Sequence, residues 1–170
     1  MAVAVVTVTY LCPRCGTTRL PFEIVCANCR YDIRNFDESS FDEKLLVALF
    51  HPEPETSERA AFLLGVRKPP GAAAALERRY HESGDPFLQR TVVGALALIG
   101  GPEADRVLAD AKGHYAVLVR AEALRRLILR GGEIGAEAGA TARADASPYV
   151  REMALRPPAP RIRWELGLDA

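Results

Sequence analysis

From residue 41 onward the apolar positions recur at helical spacing, and the blocks that carry them repeat. Phe41, Leu45, Leu46, Leu49 and Phe50 fall on one face of a helix. Ser40 stands just before them with Glu43 three positions later, the reciprocal pair that closes a helix N-terminus, so a helix starts near residue 41. Further stripes follow, among them Val92, Val93, Leu96 and Ile99, then Val117, Leu118, Ala121, Leu124 and Ile128. Asp85-Pro86 and Ser147-Pro148 read as N-caps with proline in the first turn, where its missing N–H costs nothing. Gly100, Gly101, Gly131 and Gly132 stop two of the helices, and Pro157, Pro158 and Pro160 end the series.

The blocks align on an arginine. Arg59, Arg90, Arg120 and Arg151, each near the start of an expected helix, stand 31, 30 and 31 residues apart. A constant interval of this size marks a solenoid. The pattern predicts helix pairs at 41–50 with 57–67, 71–82 with 86–99, 102–111 with 115–130, and 133–144 with 148–156. No pair can bury its stripe alone, so neighbours must stack. The resulting expectation is a mostly α protein, an α-solenoid of about four helix pairs over residues 41–157.

Residues 51 to 156 resemble HEAT-like repeats of the phycobilisome-lyase type, whose units run D-x-x-V-R-x-x-A-x-x-A-L-x-x-I-G-x-P. The match is carried by Asp85 to Pro102, with Arg90, Ala95, Leu96, Ile99 and Gly100 in order, and by Val119-Arg120 with Ala123 and Leu124. The first and last units lack the leading aspartate and the last also lacks the Ile-Gly, as capping units do. The resemblance implies an interaction scaffold. Some members of that family attach bilins, but no residue here matches a lyase-specific site, and a lyase-like enzyme would need a chromophore pocket between units.

Ahead of the helices lie the chain's four cysteines, Cys12, Cys15, Cys26 and Cys29, as two C-x-x-C pairs within 18 residues. Two such pairs and no fifth cysteine are the arithmetic of one tetrahedral site. Each pair folds as a tight knuckle, and the ten residues between them suffice for a short hairpin. Four protein ligands leave no position for water or substrate, so the metal is expected to be structural. Iron is the alternative to zinc, since four thiolates suit both. Two disulfides would need an oxidising compartment, and a redox C-x-x-C site belongs to a βαβ unit that is missing here. The segment from 8 to 34 resembles short zinc ribbons with the pattern C-P-x-C-G and C-x-x-C, with Arg30 where those modules usually carry a second glycine. The domain reading is a small β zinc ribbon at 1–36, a polar acidic linker at 37–40, the solenoid, and a tail at 158–170.

Composition changes this picture little. Lys+Arg and Asp+Glu both count 22, so no net field draws the chain to nucleic acid or an anionic membrane. Only Lys44, Lys68 and Lys112 are lysines, a bias that speaks of codon usage more than of activity. The opening apolar run, MAVAVVTVTYL, lacks a preceding basic residue and is too short to span a bilayer, so a cytoplasmic location is expected, with the run as a strand. His51, His81 and His114 near unit junctions are read as turn or cap residues. No catalytic triad, phosphate-cradling loop or acid/base carboxylate pair is recognisable, so no enzyme and no small-molecule substrate are expected.

The sequence therefore predicts a noncatalytic adaptor with one structural Zn2+ on Cys12, Cys15, Cys26 and Cys29. A protein partner is expected on the concave surface of the second helices, with Arg90, Arg120, Arg125, Arg126 and the lone Trp164 as candidate contacts. The aligned arginines have a second reading, as bridges to acidic residues of the adjacent unit that hold the stack in register. The alternative function is nucleic-acid or ribosome association through the ribbon, where Arg14, Arg19, Arg30 and Arg34 cluster.

Overall fold

The computed structural model describes residues 9–156. A small two-stranded antiparallel sheet, β1 (Tyr10–Leu11) and β2 (Thr18–Arg19), pairs Tyr10 with Arg19 and Leu11 with Thr18 across the first cysteine pair. The expected hairpin between the cysteine pairs is thus a hairpin around the first pair, because the strands grow directly out of the knuckle. The remainder is helical: α1 (Ile33–Glu38), α2 (Phe41–Ala48), α3 (Pro54–Arg67), α4 (Ala72–Glu82), α5 (Pro86–Ile99), α6 (Pro102–Ala111), α7 (Val117–Arg130), α8 (Gly132–Ala144) and α9 (Pro148–Leu155).

Local chemistry sets most of the helix ends. Ser40 accepts from the Glu43 N–H while the Glu43 carboxylate accepts from the Ser40 N–H, which opens α2. Asp85 accepts from Phe87 N at 2.9 Å, with Pro86 as the first residue of α5. Gly100 and Gly131, at φ +80° and +73°, end α5 and α7 in backbone conformations that cost glycine little.

Three further expectations are corrected. The stretch read as a linker holds the end of α1 and the Ser40 cap of α2, since Asp32 caps α1 from Arg34 N at 3.0 Å and Ile33 is buried. Ser147 makes no side-chain cap; its own N–H donates to Asp145 Oδ1 at 2.8 Å, so the acid two residues earlier closes that turn. On α7 the buried residues include Val119, Ala123, Leu124 and Leu127, while Val117 and Leu118 are only half-buried. The expected Ala121 and Leu124 are buried and Val117 and Ile128 pack against the core, so the buried face is wider than the expected stripe and takes in Val119, Ala123 and Leu127 as well.

The second helices α3, α5, α7 and α9 lie side by side as one layer, and α2, α4, α6 and α8 each back onto their partners. One continuous core runs between them from Leu45 to Val150, including Leu64, Leu76, Leu96, Leu108 and Leu124. α3 and α5 approach closely because Gly65 has no side chain: a Cβ there would lie 2.6 Å from Ala95 Cα. Polar ties join successive units. Arg106 grips Glu77 through two bonds of 2.6 and 2.8 Å, and the Tyr80 hydroxyl donates to Asp110 Oδ2 at 2.7 Å. Among the described residues, no helix is long and apolar enough to cross a membrane.

Candidate metal centre and helix-face groove

The two C-x-x-C pairs fold as near-identical knuckles. Cys12 O accepts from Gly16 N and Cys26 O accepts from Arg30 N, both at 2.9 Å; Cys12 N and Cys26 N donate to Thr17 O and Tyr31 O at the same distance. Each knuckle needs a left-handed residue at its fifth position. Gly16 supplies it at φ +69°, and Arg30 is forced to the same conformation at φ +60°. For a residue with a Cβ this costs about 1–2 kcal/mol, and the closed ring of backbone bonds offsets it.

The four sulfurs face one point. All lie within 4.8 Å of one another, Cys12 to Cys29 at 3.7 Å and Cys15 to Cys26 at 3.6 Å. A tetrahedron of thiolates at about 2.3 Å from a metal has edges of about 3.8 Å, whereas a disulfide would bring sulfurs to about 2.05 Å. The cysteines are free thiols, and their arrangement fits a tetrahedral ion.

The thiols differ in acidity. The Thr17 hydroxyl, 3.4 Å from Cys15 Sγ, together with the Thr17 N–H, draws the Cys15 thiol down to about 5. Asn28 Nδ2 adds a bond at 3.6 Å. Burial raises Cys12 and pushes Cys29 up to about 12, against the backbone N–H groups of Arg14 and Tyr31 that favour the thiolates. A divalent cation would supply the positive charge that favours all four thiolates.

The candidate arginines separate into two environments. Arg120 is taken up by the turns around it: its Nε and Nη2 grip Asp145 at 2.9 and 3.1 Å, and its Nη1 donates to His114 O and Tyr115 O at 2.7 and 2.9 Å. It bridges to the turn before α9, the role of a register clamp. Arg90, Arg125 and Arg126 come together in a groove of about 350 Å³ across α5 and α7. Glu122 holds two of them, accepting from Arg126 Nε at 2.6 Å and Arg125 Nη2 at 3.1 Å. Gly94 leaves room for this fork, since a Cβ there would lie 3.3 Å from Arg126 Nη2. Among the described residues Arg90 forms no ion pair. Trp164 lies outside the described residues.

Sequence reasoning missed the apolar part of this groove: Phe62, Leu98, Leu118, Tyr149 and Met153. A signal existed in the spacing, because Arg90, Gly94 and Leu98 recur every fourth residue on α5, as do Leu118, Glu122 and Arg126 on α7. His51 and His114 sit in turns, with His51 Nδ1 accepting from Glu53 N and His114 Nδ1 from Ala116 N, both at 3.1 Å, while His81 lies in the last turn of α4.

Stacked helix pairs behind a four-thiol cluster define the class: an α-solenoid preceded by a small four-cysteine module whose sulfurs could hold a metal ion. The HEAT-repeat pattern matches residues 43–128, half of the sequence, and the chain belongs to the HEAT-repeat family. No curated protein matches the chain.

Proposed function

We propose that the chain is a noncatalytic adaptor that holds a protein partner in the α5–α7 groove while a structural zinc ion closes the N-terminal ribbon. HEAT repeats commonly serve as protein-interaction scaffolds. The observation that carries the reading is the groove itself, where Arg90, Arg125 and Arg126 flank an apolar floor on the second-helix face. Glu122 presents two guanidinium groups as a fixed fork, so little side-chain entropy is lost when a carboxylate docks. Phe62 and Tyr149, 46% and 40% exposed, offer the aromatic surface typical of interface anchors.

Zinc is favoured over iron for the cluster because the short gap between the cysteine pairs suits the smaller ribbon. The 1–36 and 158–170 boundaries remain part of this proposal, with the ribbon leading directly through α1 into the solenoid. Nucleic acid is the weaker partner class, since Arg34 is engaged by Asp32 and Arg19 by the carbonyls of Leu11 and Leu20.

The test combines metal analysis with partner capture. Freshly purified protein should hold one zinc per chain, and a partner identified from native extract should be lost on Arg90→Glu with Arg125→Glu while helicity stays unchanged. Capture that ignores both reversals sinks the groove reading. Capture that collapses steeply as salt rises and ends with nuclease treatment points instead to nucleic acid.

A further inference from the structure

We propose that the ribbon and the first helices together form a second recognition site, a cleft for an acidic peptide segment with an aliphatic side chain, present only while the cysteine cluster holds the ribbon folded. A cleft of about 510 Å³ lies where the ribbon meets α2 and α4. Arg14, inside the first knuckle, and Tyr31, just after the second, form one wall. Leu46 of α2 and Phe50 in the turn after it, with Ala75 and Arg78 of α4, form the other.

Two guanidinium groups and no carboxylate line this space. Both are oriented by aromatic rings: Arg14 lies 5.8 Å from the Tyr31 centroid and Arg78 4.0 Å from that of Phe50. Stacking fixes the plane of a guanidinium and leaves its N–H edge for a planar acceptor, the geometry that a carboxylate matches with two bonds. The contact of Arg78 with Glu82, at 3.7 Å between exposed side chains, competes weakly. Leu46 and Ala75 give the floor an aliphatic character that suits a leucine-like side chain. A nucleic-acid strand fits less well: the rings of Tyr31 and Phe50 are already covered by arginines, so a base finds no open stacking platform.

The coupling to metal follows from the position of Arg14. It sits between Cys12 and Cys15, so the knuckle that the ion closes also sets where this guanidinium stands. A 30-residue ribbon has too little core to keep that wall without its ion. The ribbon would then be half of a binding site whose other half is the first helix pair.

The test is fluorescence anisotropy with the full zinc-loaded chain and a short labelled peptide alternating glutamate and leucine. Saturable binding is expected, with none for the lysine–leucine counterpart and no change on Arg90→Glu in the separate α5–α7 groove. Arg78→Glu and Arg14→Glu should each weaken binding about tenfold, the loss of one charge-assisted contact. Chelation should abolish binding while helical circular dichroism persists. Arg14→Glu risks disturbing the knuckle, so Arg78→Glu, on α4 and away from the cysteines, decides. Affinity within twofold of the parent in that variant, at full zinc content and helicity, overturns the proposal. So does equal binding by the metal-free protein, or tighter binding of labelled oligothymidine that displaces the peptide.

Discussion

Removing the Arg120 guanidinium should loosen the last unit of the stack. Arg120 and Asp145 meet through two bonds of 2.9 and 3.1 Å, with side chains only 17% and 10% exposed. At about 4 Å between charges and an effective dielectric of about 20, the attraction is about 4 kcal/mol. Desolvation of both groups offsets much of this while the pair is intact. It is not offset once Asp145 is left alone in the same place. Exposed pairs contribute about 0.2–1 kcal/mol and breaking buried ones costs about 3–5 kcal/mol. A pair this sheltered falls between, so Arg120→Met should cost about 2–3 kcal/mol. Asp145→Asn should cost less, because the amide oxygen can still accept from Ser147 N.

Urea unfolding followed at 222 nm gives the totals, and hydrogen exchange shows where they act. Since Arg120 ties α7 to the turn between α8 and α9, amides of α8 and α9 should lose protection first. The double variant should be milder than the sum of the singles by about 1–2 kcal/mol, as expected for groups in contact. The pH dependence has a definite sign. The Arg120 guanidinium, opposed by burial and helped by the Ser147 N–H, holds the Asp145 carboxyl below its ordinary value. A depressed carboxylate contributes stability that is fully present above its unfolded pKa of about 3.9. That stability fades as pH falls from there through the lower folded pKa. Arg120 stays protonated throughout, so Arg120→Met should flatten this part of the acid limb. Additive single variants, or losses under about 0.5 kcal/mol at pH 7, would refute the clamp.

Three further perturbations test other parts of the structure. Gly65→Ala must push Ala95 away and should lose about 1–2 kcal/mol in urea unfolding despite its better helix propensity, whereas Gly84→Ala, with nothing within 4 Å of the new Cβ, should be near neutral. Arg30→Gly relieves a left-handed residue at φ +60° and should strengthen metal retention by about 1 kcal/mol, roughly fivefold in competition with a chromogenic chelator. Removing the metal with a chelator should erase exchange protection of the Gly16 and Arg30 amides but leave most of the 222 nm signal, because the cysteines lie outside the helices; wholesale loss of helicity would contradict that division.

What was legible in the sequence is what local chemistry decides. Pro86, Pro102 and Pro148 open helices at their own positions, and Gly100 and Gly131 close two of them, whereas α3 starts at Pro54, three residues before the expected 57. The cysteine cluster was readable because two tight knuckles follow from spacing alone. α1 was not, since Ile33 and Phe36 are the only apolar residues in a six-residue helix and one turn shows no period. The phase of α7 was ambiguous because Val117, Leu118 and Val119 are all apolar, and packing against α5 and α8 chose Val119.

The aligned arginines show the deeper limit. A repeat places them equivalently on their helices, but their roles depend on residues one unit away. Arg120 finds Asp145 25 positions on and becomes a clamp. The same offset from Arg90 reaches Tyr115, which has no charge to offer, and Arg90 faces the groove instead. The presence or absence of a single acid at a unit junction therefore separates a clamped arginine from one that lines the groove, so junction residues of this solenoid divide its cations between holding the stack and lining its second-helix face.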